Sequence, residues 1–357
     1  MTSPPLDRGA GRRWRDHVDR GFPYAGFARG WYQLGWSRDL AVGNVAPLRF
    51  FDDDLVMYRD KGGIVRVMDA YCAHYGAHLG YGGVVESSGI RCPFHAWLWD
   101  HDGRNVEVPY GEGRCSKRTI KMWTVREHGG LIFVWYPSDS GTPEWDLPPL
   151  PDEAARGYFA LYPLGIHHEI VHFPGQFIGE NIADLAHLKF VHRFEEVPAL
   201  RECVAAGPVF RTVFDGMTPT SRGHAPVLMT QEAYGVGLIR TETAGPIGSV
   251  TLAGLTPIDH GTTMVMFSRW MECPDPSMEG QQPAGKALRY IENNTAEALG
   301  PNSDRPIWDH MRYLTRPAYT REEIVTVRRI REWMRPFYDV PSVDEATDDL
   351  PDEPFNE

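Results

Sequence analysis

The sequence predicts an α+β protein of two domains, in which an all-β domain precedes a domain with helices packed on a central antiparallel sheet. Two observations support this prediction. Up to about residue 137, short apolar and aromatic segments alternate with glycine-containing turns, whereas longer strand-like and helix-like segments are mixed beyond residue 158. The chain has 357 residues, of which 42% are hydrophobic, and is therefore long enough to form two cores.

The first domain is predicted to consist of short strands joined by tight turns. Lys61-Gly62-Gly63 and Asp102-Gly103 supply hairpin turns, because glycine adopts the backbone conformations that such turns require. The predicted strands are residues 31–36, 55–58, 64–68, 97–99 and 131–135.

The second domain follows a segment rich in proline and acidic residues, 137–157, which is predicted to be a linker. Residues 158–173 and the segments between 204 and 270 read as strands, with turns near Gly216, Gly235 and Gly245. Helices are predicted at 176–191, 286–299 and 321–337. The predicted organisation is an N-terminal tail 1–27, a first domain 28–137, a second domain 138–341 and an acidic tail 342–357.

Composition excludes several classes of function. The net charge of −12 argues against nucleic-acid binding, which depends on neutralising phosphates. We expect neither a membrane span nor a secretion signal, since long apolar runs are missing, and we therefore expect a cytoplasmic protein. Five cysteines are too few for a disulfide scaffold, whereas a reducing compartment suits metal-binding thiolates.

Two short motifs predict an iron–sulfur cluster in loops of the first domain. Cys72-Ala73-His74 is followed by Cys92-Pro93-Phe94-His95. Two thiolates and two imidazoles at this spacing can hold a [2Fe–2S] cluster of Rieske type, with the cysteines on one iron and the histidines on the other. A structural zinc site is the alternative, but its cysteines and histidines more often occur in closely spaced pairs of one residue type.

A second group of metal-binding residues lies in the segment 180–192. Asp184 and His187 are three residues apart and would share one face of a helix. His187 and His192 are five apart, which is too wide for one straight helical face, so either the helix ends before His192 or it contains a π-bulge. Two histidines and a distant carboxylate would form the facial triad of non-haem Fe(II) oxygenases. An isolated pair of this spacing is usually structural, but an electron source in the same chain favours the metal site.

Over essentially its whole length, the chain resembles the oxygenase component of Rieske non-haem iron oxygenases. The cysteine–histidine pattern matches the cluster signature, and Asn181, Asp184, His187 and His192 match the family's mononuclear-iron motif. One departure is Ala96, where the family usually has glycine; we expect its methyl group to change packing or a docking surface. Stretches similar to the branch of 3-ketosteroid 9α-hydroxylases and cholesterol 7-desaturases are 69–72, 76–83, 91–95, 304–308, 331–333 and 336–338.

The resemblance implies a Rieske domain followed by a helix-grip-like catalytic domain. It implies a [2Fe–2S] cluster, a mononuclear Fe(II) and O2 as co-substrate. Asp304 is the implied third iron ligand, with Asp309 as its rival, and Asn181 belongs to the catalytic motif. A homotrimer with head-to-tail contacts is implied, in which Asp184 links His187 to His95 of a neighbouring subunit.

The expected activity is O2-dependent hydroxylation of a bulky apolar substrate, a steroid by resemblance, with sterol desaturation as the alternative. The chain has neither a G-x-G-x-x-G motif nor a second cysteine set, so a separate flavin-containing, NADH-dependent ferredoxin reductase is implied. A pure Rieske electron carrier is the competing hypothesis; it predicts no mononuclear iron.

Overall fold

The structure is a computed structural model that describes residues 21–24, 26–111, 113–115, 117–137, 142–151, 157–160, 162–220, 222–245, 248–273, 275–281 and 285–338. Most of the predicted N-terminal tail and the whole acidic tail 342–357 lie outside these residues. The described residues form two compact units, one of residues 33–144 and the other of residues 21–32 and 145–338. Among them, no helix has the length and apolar character needed to span a bilayer.

Short hydrogen-bonded strands dominate the first unit, as predicted. They form sheets in the orders β1-β11-β10, β2-β3-β4-β9 and β5-β6-β7-β8. All five predicted strands are confirmed, as β1, β3, β4, β7 and β11; the six others were missed because most are very short. The strands are β1 Gly30–Trp36, β2 Val45–Phe50, β3 Asp53–Arg59, β4 Val65–Asp69, β5 Val84–Glu86, β6 Gly89–Arg91, β7 Leu98–Asp100, β8 Asn105–Glu107, β9 Met122–Trp123, β10 Val125–His128 and β11 Leu131–Tyr136.

The second unit is built on an antiparallel seven-stranded sheet in the order β12-β18-β17-β16-β15-β14-β13. Turns at Gly235 and Gly245 are confirmed, but the turn predicted near Gly216 is wrong. Gly216 lies inside β14 and pairs with Val227. A side chain there would meet the ring of Phe194 at 2.7 Å, so glycine permits close packing rather than a turn. The strands are β12 Gly165–Val171, β13 Ala199–Ala206, β14 Val209–Thr220, β15 Gly223–Tyr234, β16 Leu238–Ala244, β17 Ser249–Asp259 and β18 Thr262–Met271.

Helices pack on one face of this sheet, which we call the inner face and which carries Ala233, Ala253 and Val265. The helices predicted at 286–299 and 321–337 are confirmed, the second with a π-helical turn, whereas the single helix predicted over 176–191 is wrong. That segment is a helix, a 3₁₀ turn and a second helix. The helical elements are α1 Gln176–Glu180, α2 Ala186–Phe190, α3 Lys286–Ala296, α4 Arg305–Trp308, α5 Arg321–Glu323 and α6 Arg329–Met334, with a π-turn Ile324–Arg328 and 3₁₀ turns Ser37–Asp39, Asn181–Ala183, Pro276–Met278, Glu297–Leu299 and Arg335–Phe337.

Candidate metal centres

Two loops of the first unit, 72–77 and 92–97, share one backbone hydrogen-bond pattern. In each loop the cysteine N–H donates to the carbonyl five residues later, at 2.9 Å in both cases. The N–H four residues after each cysteine donates back to the cysteine carbonyl, at 2.9 Å and 3.2 Å. Gly76 and Ala96 therefore occupy equivalent positions, and both have left-handed backbones, with φ of 72° and 56°. The methyl group of Ala96 thus bears on backbone conformation and not on packing alone.

These loops bring the four predicted cluster residues together. Cys72 and Cys92 are buried in one apolar cluster, and the rings of His74 and His95 lie 4.8 Å apart between centroids. Nδ1 of His95 is buried and has no hydrogen-bond partner among the described residues. Burial and then the nearby His95 lower the pKa of His74, which favours the neutral imidazole that binds metal. An orphaned nitrogen and two buried thiols fit an iron–sulfur cluster.

The second unit brings together His187, His192 and Asp304. One ligand atom from each lies within 4.8 Å of the others. Nε2 of His192 is 3.0 Å from Oδ2 of Asp304, and the two imidazole rings lie 5.2 Å apart. Asp309, the rival carboxylate, instead pairs with Nε of Arg305 at 3.4 Å along the same helix. The geometry therefore groups Asp304 with the histidines.

The predicted helix is interrupted at Asp184 and ends again before His192. Asp184 has an extended backbone, with φ −94° and ψ 100°, so it ends the 3₁₀ turn before α2 begins. Its carboxylate accepts the N–H groups of Ala186 at 3.0 Å and His187 at 3.3 Å, as a helix cap does. Because α2 ends at Phe190, His192 lies outside the helix. Of the two alternatives drawn from the sequence, the helix ending before His192 is the one observed.

The hydrogen bonds of His187 fix which nitrogen can bind a metal. Nδ1 of His187 donates to the backbone oxygen of Asp184 at 2.5 Å, so the neutral ring leaves Nε2 unprotonated. That nitrogen lies 3.3 Å from Nδ2 of Asn181, whose side chain also hydrogen-bonds Asp304. Asn181 therefore occupies the space between two of the three ligand atoms.

Electrostatics match the charge states that a metal would require. Burial lowers the pKa of His187 and favours its neutral form. Burial alone would raise the pKa of Asp304, but the hydrogen bond and charge of His192 and the charge of His187 lower it overall. A neutral His187 imidazole and an ionised Asp304 carboxylate are donor groups of the kind that non-haem iron sites use.

A row of polar side chains on the inner face was missed at the sequence level. The residues lie opposite one another on consecutive strands from β14 to β18. We call them the floor row: Thr212, Gln231, Thr241, Thr251 and Arg269. Thr212 is buried, and the other four are half-buried. Alternation of threonine with apolar residues in β16 and β17 was the available signal, but the register that aligns the strands is not readable from sequence.

The floor row lies on the strands between the two segments that carry the metal site. At one end, Oγ1 of Thr212 donates to the carbonyl of Ile182 at 2.8 Å, one residue after Asn181. At the other end, Nε of Arg269 donates to Oγ1 of Thr251 at 3.1 Å. The next strand, β12, is tied to Arg305, the neighbour of Asp304, through an ion pair with Glu169. The row therefore faces the side of the sheet on which the metal site is built.

Comparison with protein families identifies a known domain in each half of the chain. Residues 30–122 match the Rieske [2Fe–2S] domain, and residues 134–338 match the 3-ketosteroid 9α-hydroxylase C-terminal domain. The chain belongs to the Rieske non-haem iron oxygenases. Within that family it is an oxygenase component of the branch that contains 3-ketosteroid 9α-hydroxylases and cholesterol 7-desaturases. It is an oxidoreductase that uses a Rieske cluster, a mononuclear iron and O2.

Individual relatives support this assignment. The chain is 37% identical to "Cholesterol 7-desaturase nvd 1" of Ciona intestinalis, over 87% of this chain and 69% of that protein. It is 27% identical to a 3-ketosteroid-9-alpha-monooxygenase oxygenase component of Rhodococcus rhodochrous, over 90% and 86% of the two chains. A crystal structure of dicamba monooxygenase shares the fold with a TM-score of 0.70 at 18% identity, over 88% and 98% of the two chains.

Proposed function

We propose that this oxygenase component hydroxylates a bulky apolar steroid, using O2 and electrons from a separate flavin-containing, NADH-dependent ferredoxin reductase. The observation that carries the proposal is the grouping of His187, His192 and Asp304 inside the domain that matches the steroid hydroxylase model. The cluster loops in the same chain provide an entry point for electrons. The Rhodococcus relatives, which are named for 3-ketosteroid oxidation, support the substrate class.

In this proposal the residues of the first centre hold the cluster and pass electrons. Cys72, Cys92, His74 and His95 would hold the cluster, which would supply one-electron transfer. Both cysteines are buried, whereas both histidines are half-buried. The histidine edge is therefore the side from which a reductase can approach, and we place its docking surface there.

The residues of the second centre hold the iron and orient it. His187, His192 and Asp304 are the proposed ligands, and the bound iron supplies activation of O2 toward a C–H bond. The backbone oxygen of Asp184 holds His187 in the tautomer that points Nε2 toward the metal. The amide of Asn181 lies beside the ligand atoms, where it can donate a hydrogen bond to the carboxylate or to a group bound at an open position.

The inner face of the sheet is the proposed wall of the substrate site. The floor row offers hydroxyl, amide and guanidinium groups, and the adjacent row on the same face offers apolar groups such as Ile239, Ala253 and Phe267. A steroid combines a large apolar body with few polar substituents. An apolar surface beside a single polar row can bind the body and orient it through one substituent.

We also propose that three copies of the chain assemble head to tail. In this assembly the Asp184 carboxylate accepts a hydrogen bond from His95 of the neighbouring subunit, and electrons pass between the two subunits through this contact. The Asp184 side chain is 35% exposed, and its Oδ2 lies 3.8 Å from Nδ1 of His187. A carboxylate at this position can therefore be reached from outside the subunit while staying close to a metal-binding histidine.

Sterol desaturation is the second candidate, and a specific observation favours it. The 37% identity to the Ciona cholesterol 7-desaturase exceeds the 27% identity to the Rhodococcus monooxygenase. Hydroxylation and desaturation both begin with removal of a hydrogen atom from a C–H bond. The positions of the substrate carbons relative to the iron decide which product forms.

The decisive experiment combines metal analysis with a substrate panel. The purified protein should contain the two irons of the cluster and one further iron, together with labile sulfide. It is then incubated with reductase, NADH and 18O2 against sterols and 3-ketosteroids. A product carrying 18O supports hydroxylation, a product lacking two hydrogens supports desaturation, and no product from any member of the panel contradicts the steroid assignment.

Two variants provide matched controls for this assay. His192→Ala should lose the mononuclear iron and all product formation while it keeps the visible spectrum of the cluster. Thr241→Phe should keep both metals but lose steroid oxidation, because the ring fills the centre of the floor row. Full steroid oxidation by Thr241→Phe would exclude the inner face as the wall of the site.

A further inference from the structure

The indole of Trp99 lies against the sulfur of Cys72. Its Nε1 is 3.3 Å from Sγ, and the two residues are 0% and 2% exposed. An indole N–H is a donor only, and leaving a buried donor without a partner destabilises the fold. A cysteine binds iron as its anionic thiolate, and the buried indole N–H lies where it can donate to that sulfur.

The fold fixes this contact. Trp99 belongs to β7, where it pairs with Ile90 of β6 on one side and with Asn105 of β8 on the other. Strand β7 leaves the loop 92–97, yet the indole reaches the cysteine of the other loop, 72–77. One rigid side chain thus ties the two cluster loops together, and its direction is set by a sheet and not by a flexible segment.

We propose that Trp99 is a positioning residue that raises the reduction potential of the cluster by donating its indole N–H to the Cys72 thiolate. This inference rests on the proposed assignment of Cys72 as a cluster ligand. Reduction adds one electron, supplied by the reductase, and makes the cluster more negative. A fixed N–H donor stabilises the more negative state to a greater extent, which raises the potential. Trp99 keeps its proton throughout, and no bond to it forms or breaks.

The first test is the substitution Trp99→Phe, which keeps an aromatic ring and removes the N–H. We expect the equilibrium constant for reduction to fall by roughly threefold to tenfold, equivalent to a potential lower by about 28 to 59 mV for one electron. The control is Trp123→Phe, which removes another buried indole N–H of the same unit, one that donates to Oδ1 of Asp69 at 2.9 Å. Potentials are measured by spectroelectrochemical titration of the visible absorbance at matched iron and sulfide content.

A second measurement needs no substitution and covers the case in which Trp99→Phe fails to assemble a cluster. Protein labelled with 15N in the indole nitrogens is reduced and studied by pulsed EPR. The contact is supported if the wild-type protein shows a 15N coupling to the cluster and the coupling persists in Trp123→Phe and Trp97→Phe. If Trp99→Phe assembles a cluster, the coupling should be lost in that variant. No such coupling in the wild-type protein overturns it.

The outcomes separate this inference from the assignment beneath it. A normal Rieske spectrum with equal potentials for wild type and Trp99→Phe overturns the role of Trp99 and leaves the cluster assignment intact. A lower potential in Trp99→Phe, with Trp123→Phe unchanged, supports it. A protein without any Rieske spectrum, despite full expression in iron-rich medium, overturns the cluster assignment and the role of Trp99 together.

Discussion

Replacing Ala96 with glycine should stabilise the first unit, although it removes a methyl group next to a cluster histidine. Ala96 has φ 56°, a conformation that the β-carbon of an L-residue disfavours. The equivalent position of the other cluster loop is filled by Gly76, with φ 72°. The two loops share one hydrogen-bond pattern, so the backbone conformation is imposed by the loop and not chosen by the residue.

The size of the effect follows from two opposing contributions. A non-glycine residue in the left-handed region costs about 1–2 kcal/mol. Glycine loses more backbone freedom on folding, which costs about 0.4–1 kcal/mol relative to alanine. The net gain expected for Ala96→Gly is therefore about 0.5–1 kcal/mol. Gly76→Ala reverses the exchange in the twin loop, where an added β-carbon meets no atom within 4 Å, and should destabilise by about the same amount.

Gly35 supplies the control. It has no left-handed φ, and a β-carbon there also meets nothing within 4 Å, so Gly35→Ala should be neutral or slightly stabilising. Thermal bleaching of the visible cluster spectrum reports on the first unit alone. For a domain of this size, about 0.5–1 kcal/mol corresponds to a midpoint shift of about 2 to 8 °C. A midpoint that is unchanged or lower in Ala96→Gly, with metal content equal to wild type, would refute the argument from backbone strain.

Three further predictions concern the second unit. Asp304→Ala should lose the mononuclear iron and keep the cluster, whereas Asp309→Asn should keep both. The iron content of each variant is measured by mass spectrometry, and equal iron contents in the two variants would contradict the assignment of Asp304 as a ligand. Glu232→Gln should lower the free energy of unfolding by about 2 kcal/mol, because the Glu232 side chain is only 10% exposed and lies 3.2 Å from each of two arginines. The control is Glu202→Gln at a side chain that is 45% exposed, which should cost less than about 1 kcal/mol. Denaturant titrations measure both changes. Asp184→Asn keeps a helix-capping oxygen but loses the negative charge, so both metals should stay bound while steady-state turnover is abolished; an active variant would exclude the subunit bridge.

The proposed cluster residues could be recognised from the sequence because their chemistry is local. Each half-motif spans three or four residues, and the loops that present Cys72 and His95 close through hydrogen bonds over five residues. The left-handed backbone at Ala96 could not be predicted in this way. Alanine itself gives no sign of that conformation, and the family's usual glycine gave no reason for it; the equivalence of the two loops, seen in their hydrogen bonds, explains why glycine would suit the position.

Helical periodicity failed where the metal site needed an irregular backbone. The segment 176–191 has the apolar spacing of a helix, yet Asp184 interrupts it because its carboxylate caps the next helix better than it serves inside one. The interruption is useful for function. A continuous helix would direct His187 and His192 about 140° apart, while the end of α2 at Phe190, between the two residues, leaves their rings 5.2 Å apart.

The proposed third ligand, Asp304, shows most clearly what a sequence cannot specify. Asp304 lies 112 residues beyond His192, and nothing in the local pattern distinguishes it from Asp309. The distinction comes from Arg305, which binds Glu169 of β12 and also pairs with Asp309. The first contact anchors the start of α4 to the sheet, so the carboxylate just before it is held beside the histidines. The second contact, between Arg305 and Asp309, holds the Asp309 carboxylate against its own helix. The choice of ligand therefore depends on where the sheet places Glu169, which is a property of the folded chain.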